Sequence, residues 1–284
     1  MSDTQSLKPS VDELRKELKR ENNKKEYRRV LRNTLITAAL LLLAGVVEAV
    51  DLELPRLFPP KTTGPCFNPD YWDAKYEKSL KAKLQPDIKG IDVSHHQGDI
   101  DWKDVKKAQP KLAFVYIKCT EGKSYVDPMF RKNAEEAAAV GYKVGAYHYF
   151  RMTSGAHEQF YNFKAQMDSV HIDLIPMVDV ERSDGKPKKE LQDSLKVLLD
   201  LLENAYGKKP MIYGTNRSYN ELCAPEFNHY PLYIGRYGTN KPVVTGPSHY
   251  TIWQYSESAR IPGIPKPVDM CRMHPVYDAR RIQL

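Results

Sequence analysis

At 284 residues the chain exceeds the usual domain of roughly 100–200 residues, although a single α/β barrel with a tail also fits this length. Hydrophobic residues at 41% and aromatics at 10%, with 18 tyrosines, supply a folded core and exclude a disordered polymer. The net charge of +7 is uneven, because Met1–Asn33 carries ten Lys/Arg against six Asp/Glu and leaves 33 against 30 for the rest. That balance suits an acidic polymer as partner but lacks the basic stripe of a nucleic-acid binder.

Leu35–Val47 reads LITAALLLLAGVV, thirteen residues without a charge, behind Lys24, Lys25, Arg28, Arg29 and Arg32 and ahead of Glu48 and Asp51. These flanks orient the N-terminus inside. The run falls short of the about 20 residues of a spanning helix, so signal-peptide core, uncleaved signal anchor and buried helix of a soluble domain all stay open. Val47-Glu48-Ala49 has the small-x-small form of a cleavage site, whereas the preceding basic region is long for a removable signal. The expected organisation is a basic segment over 1–33, a signal anchor or signal core over 34–50, a Pro-rich linker over 51–86 with a short helix near 71–84, and a main domain over 87–284. The expected location is the cell envelope, with the main domain outside the cytoplasm, membrane-anchored or secreted if the signal is cleaved. A monomer is the default.

From Asp87 short apolar β-rich runs alternate with helical stretches, the pattern of a mainly parallel α/β barrel. Strands are predicted at Ile88–Val93, Leu112–Thr120, Lys143–Phe150, Ile175–Glu181 and Pro210–Gly214. Asp127 and Pro128 open a predicted helix over Met129–Val140, as N-cap and first helical residue, and Gly141 ends it. Gly155–Ser169 and Lys188–Tyr206 have helical apolar spacing, with Gly207 closing the second. Leu232–Tyr237, Tyr250–Tyr255 and Pro267–Met270 then read as strands whose loops have no room for full helices. The fold class is α/β, about five β/α units followed by three plain strands.

In such barrels chemistry gathers at the C-terminal strand ends. Strand one ends on Asp92 and strand four on Asp179-Val180-Glu181, where residues two apart share a face. Two neighbouring carboxylates in a partly buried site do not both ionise cheaply, so one rises and can act as a general acid near neutral pH. A lone D-x-E triplet is more often a cap or a surface ion pair. His95-His96 face opposite ways on an extended segment and have no third ligand at a convincing spacing, so neither metal nor cofactor is expected. The four cysteines (Cys66, Cys119, Cys223, Cys271) form no C-x-x-C, and outside the cytoplasm they could pair in any of three ways. Cys119, in an apolar run, is expected to be buried.

GIDVSHHQGDIDW (90–102), FVYIKCTEG (114–122), YVDPMF (125–130), GAYHYF (145–150), PMVDVE (176–181), IWQYS (252–256) and PVD (267–269) stand in an order that resembles glycoside hydrolase family 25, the Chalaropsis-type lysozymes or N-acetylmuramidases. The resemblance spans roughly residues 87–270. It implies a TIM-like (β/α)5(β)3 barrel that cuts the β-1,4 bond between N-acetylmuramic acid and N-acetylglucosamine in peptidoglycan glycan strands. By matched position it implies Glu181 as general acid/base, Asp179 as the carboxylate stabilising the 2-acetamido group, and Asp92 and Asp269 as further acids of the pocket. A substrate-assisted retaining mechanism fits that pair, with a covalent route as the alternative. Tyr147, Trp253 and Gln254 are candidates to shape sugar subsites, with barrel core the competing reading for Trp253, and Glu121 is a further pocket candidate. The chain departs from the family where V-D-x-N becomes Val268-Asp269-Met270-Cys271. There Cys271 either joins a disulfide or fills space.

Overall fold

A computed structural model describes residues 87–246, 248–275 and 277–284. The readings of the basic segment, the apolar run, the linker helix and Cys66 lie outside the described residues.

Nine strands form one sheet: β1 Lys89–Val93, β2 Leu112–Glu121, β3 Tyr125–Val126, β4 Lys143–Tyr149, β5 Met177–Asp179, β6 Met211–Thr215, β7 Leu232–Gly235, β8 Ile252–Ala259 and β9 Val268–Met273. Eight of them close into a barrel in the order β1-β2-β4-β5-β6-β7-β8-β9 and back to β1, while β3 folds antiparallel onto the end of β2. The pairs from β1 to β8 are parallel; β9 runs antiparallel to both β8 and β1. Helix α1 (Trp102–Ala108) follows β1, α2 (Phe130–Ala139) follows the β2–β3 hairpin, α3 (Ala156–Met167) follows β4 and α4 (Lys188–Tyr206) follows β5. A short helical stretch over 216–223 follows β6, and the last three strands are joined without full helices. The expected five units and three plain strands are therefore the observed ones.

Each barrel strand is covered on both sides, which is why β2 is buried almost without interruption. Its residues alternate between two apolar layers. Val115 and Ile117 join the outer layer with Val144, Val178, Ile212 and the helices, whereas Phe114 and Tyr116 join the barrel interior with Met177, Met211, Tyr213, Tyr233 and Cys271. Helix α4 shows how the outer layer forms: Leu191, Leu195, Leu198, Leu199 and Leu202 make one fully buried stripe, and Gly207 ends the helix at φ 71°.

The interior holds large rings because glycines stand opposite them. A Cβ on Gly90 would lie 2.3 Å from the Phe114 ring, and one on Gly145 would lie 2.4 Å from Tyr116.

Several expectations at element ends change: β7 stops at Gly235, whereas β8 runs on to Ala259 and β9 to Met273, where the two pair with each other. The fourth predicted strand starts late, at Met177, because the Ile175 N–H goes to the Ile282 carbonyl near the C-terminus and Pro176 has no N–H to give; it ends at Asp179. Helix α2 begins at Phe130, and the Asp127 carboxylate accepts the Met129 N–H at 2.9 Å in the turn before it. Of the described cysteines, Cys119, Cys223 and Cys271 are free and buried, so Cys119 is buried as expected and Cys271 fills space in the barrel interior.

Candidate active site

The parallel strands bring inward-facing residues to one mouth of the barrel: Asp92 from β1, Lys118 from β2, Tyr147 and Tyr149 from β4, Asp179 from β5, Tyr213 from β6, Tyr233 from β7 and Gln254 from β8. Because β9 is antiparallel, it presents a residue near its start, Asp269, directly across from Asp92.

Two carboxyls meet at that β1–β9 pair. Burial and the charge of Asp92 raise Asp269 to about 9, so it keeps its proton at neutral pH. Burial also pushes Asp92 upward, but this carboxylate has donors: Tyr233 Oη at 2.6 Å and Gln254 Nε2 at 3.0 and 3.2 Å. Gln254 is held for that task, since its Oε1 accepts Tyr213 Oη at 2.8 Å and Tyr237 Oη at 3.4 Å. Asp92 therefore takes the negative charge of the pair and Asp269 the proton.

Asp179 is 7% exposed, and its Oδ1 has no hydrogen-bond partner among the described residues. Burial raises it well above the usual carboxylate range, and the neighbouring charge of Glu181 raises it further. Between the acids stands Tyr147, whose hydroxyl is pushed up by burial and by the charges of Asp92 and Asp179. Glu181 lies two residues past Asp179, outside the assigned strand, yet the Val180 N–H still bonds the Tyr213 carbonyl at 2.9 Å and continues the β5–β6 ladder. The expected proximity of the two carboxylates is observed, with Glu181 half-buried and accepting the Tyr149 hydroxyl on Oε2 at 3.2 Å.

The remaining candidates fall into different places. Glu121 is bonded by Lys118 on Oε2 at 2.6 Å and by Arg151 on Oε1 at 2.6 and 2.9 Å. Burial opposes its ionisation, but the two cations outweigh it and hold the carboxyl below its ordinary value. Both oxygens are thus occupied, and Glu121 is a brace at the mouth. Gln254 is 2% exposed and touches Asp92. Trp253 is 1% exposed, belongs to the outer apolar layer and donates its indole N–H to the Arg236 carbonyl at 2.6 Å, so no ring face is open to a sugar. The core reading of Trp253 is the one the packing bears out, because neighbouring residues of a strand face opposite sides and Gln254 takes the inward position.

Among the described residues no three His, Cys, Asp or Glu side chains are grouped so as to hold a metal ion, and His95 is engaged by a single carboxylate. Its Nδ1 lies 2.7 Å from the Asp127 carboxylate, which also accepts the His95 backbone N–H at 3.1 Å. Sequence reasoning missed Tyr149, Lys118, Arg151 and Tyr233. The alternation that picked out Tyr147 also places Tyr149 on the same face; nothing local marks Tyr233, whose bond to Asp92 spans 141 positions.

The sequence profile of Glycosyl hydrolases family 25 matches residues 91–264. Lysozyme M1 of Streptomyces globisporus is 30% identical over 268 residues, covering 84% of this chain and 88% of its own. YegX of Escherichia coli strain K12, an uncharacterized protein, is 36% identical over 185 residues, covering 64% of this chain and 68% of its own. Among solved structures, a family 25 glycosyl hydrolase from Bacillus anthracis superposes with a TM-score of 0.62 at 30% identity, over 70% of this chain and 92% of the other.

Proposed function

This chain belongs to glycosyl hydrolases family 25 and is a glycoside hydrolase, and from that premise we propose that it is a muramidase acting on peptidoglycan, with Glu181 as general acid/base and Asp179 as the carboxylate that receives the substrate's 2-acetamido group. The observation that carries this reading is the buried Asp179 Oδ1, left without a partner beside Glu181. A buried acceptor is costly unless something bonds it, and an acetamido N–H is the donor a substrate would bring.

The reaction follows from that placement. Glu181 gives its proton to the glycosidic oxygen while the acetamido carbonyl oxygen attacks the anomeric carbon; the C–O bond breaks and its electron pair leaves with the departing sugar. The acetamido N–H donated to Asp179 Oδ1 favours the carboxylate form of this buried acid, and that carboxylate meets the positive charge that spreads onto the amide. Water then adds at the anomeric carbon, its proton returns to Glu181, and the acetamido group is released. Asp92, carrying the charge of its pair, and Asp269, carrying the proton, add an acceptor and a donor to the pocket, and Tyr147 forms its floor. Gln254 and Glu121 act through the groups they hold.

The N-terminal reading belongs to the same proposal. The basic segment 1–33 and the apolar run 35–47 tether the barrel, residues 87–284, to a membrane through the linker, with the barrel in the envelope as a monomer. Among the described residues no helix is long and apolar enough to cross a membrane, so the tether rests on sequence alone.

The test is release of soluble fragments from purified peptidoglycan by the wild type and by Glu181→Gln. Release by the wild type alone, with both proteins sedimenting with the polymer, is expected. Binding without release by either would replace this reading with that of a non-catalytic wall-binding module.

A further inference from the structure

Three side chains at the mouth surround one ring that the proposed reaction leaves unused. The Tyr149 hydroxyl donates to Glu181 Oε2 at 3.2 Å, while the Lys118 ammonium lies 5.1 Å and the Arg151 guanidinium 4.7 Å from the ring centroid. Those cations are themselves fixed. Glu121 binds one with each oxygen, Arg151 reaches Asp184 at 3.3 Å, and Asp184 accepts the Met152 N–H at 3.0 Å. Lys118 is 8% exposed, so little water competes for it. Two fixed cations near the ring hold it in place, with its hydroxyl on Glu181.

Resting on Glu181 as the acid, we propose that Tyr149 is a positioning residue which occupies Glu181 Oε2 and thereby assigns Oε1 as the oxygen that delivers the proton to the glycosidic bond. The bond survives proton transfer. While Glu181 is neutral, Oε1 carries the proton and Oε2 accepts from Tyr149; once the proton has gone to the leaving oxygen, the same hydroxyl faces a full carboxylate and binds it more strongly. The interaction therefore grows along the reaction coordinate and lowers the barrier instead of merely binding substrate. The phenol stays a donor throughout, because burial and the charges of Glu181 and Asp179 hold its ionisation far above the working range.

The proposal predicts a dependence on the leaving group. A sugar oxygen needs the proton, whereas dinitrophenolate departs without it. Wild type, Tyr149→Phe and Arg151→Met are compared on peptidoglycan and on the 2,4-dinitrophenyl β-glycoside of the N-acetylglucosaminyl-N-acetylmuramic acid disaccharide, with thermal unfolding recorded for each.

On peptidoglycan Tyr149→Phe is expected to lose about tenfold in kcat/KM, through kcat, since one hydrogen bond to a charged group is gone. On the aryl glycoside its kcat/KM stays within about twofold of wild type. Arg151→Met keeps the hydroxyl but removes one of the two cations held near the ring, and it is expected to show the same substrate-dependent loss at about threefold. That second variant decides the matter if Tyr149→Phe does not fold. Unchanged kcat on peptidoglycan, or equal losses on both substrates, overturns the positioning role while leaving the muramidase reading intact. A wild type inactive on both substrates overturns the muramidase reading itself, and this role with it.

Discussion

Asp92 and Asp269 show how a pair of like groups is made to differ. One receives hydroxyl and amide donors and bears the charge; the other, pushed up to about 9, keeps a proton. This has a consequence for stability. The folded protein holds a proton on Asp269 that the unfolded chain gives up near the ordinary Asp value of about 3.9. Stability is therefore full below that pH and declines as pH rises toward about 9. Asp269→Asn removes the loss and keeps a donor toward Asp92. Its melting temperature is expected to match wild type near pH 4 and to exceed it by at least about 2 °C at pH 8, the response of a domain this size to roughly 1 kcal/mol. A lower melting temperature at pH 8 would contradict the shared-proton arrangement. Glu181→Gln has a different signature: kcat is expected to fall by about 10²–10⁴ with the fold unaltered, as steady-state kinetics and circular dichroism would show. Of the site, the four acids were legible from strand ends and family resemblance. Alternation along β4 places Tyr149 on the face of Tyr147, but its bond to Glu181 and the places of Lys118 and Arg151 come from contacts between strands and leave no local motif.

Elements carried a clearer signal than side-chain roles. Short apolar β-rich runs and helical spacing placed β1, β2, β4, β6, β7, α3 and α4 close to their observed limits, because the strands are buried on both faces and each helix buries one stripe. The shortest elements escaped. β3 has two residues, and α1 buries only Trp102 and Val105, too few to establish a period. β5 starts late for a reason outside itself, the claim of the C-terminal segment on Ile175. The glycines of β1 and β4 set the packing inside the barrel, and this too can be tested. Gly90→Ala drives a methyl to 2.3 Å from the Phe114 ring. It is expected to destabilise by about 1–3 kcal/mol, the usual cost of overpacking, seen as a lower urea midpoint at unchanged slope. An unchanged midpoint would mean that Phe114 has room to move.

The whole molecule supplies what neither scale can. Asp92 and Asp269 are brought together only when β9 turns antiparallel and closes the barrel against β1. Closure also sets Gln254 beside Asp92, and at the same mouth Asp179 Oδ1 is buried without a partner among the described residues. A pairing between the two ends of a domain has no trace in local pattern, so the sequence named these acids without showing which would share a proton. The central claim, a barrel that cuts peptidoglycan on the reducing side of muramic acid, is tested most directly by the chemistry of the new chain ends. Peptidoglycan digested with the purified protein is reduced with borohydride and the products are identified by mass spectrometry. Fragments ending in reduced N-acetylmuramic acid are expected, whereas fragments ending in reduced N-acetylglucosamine would contradict the claim.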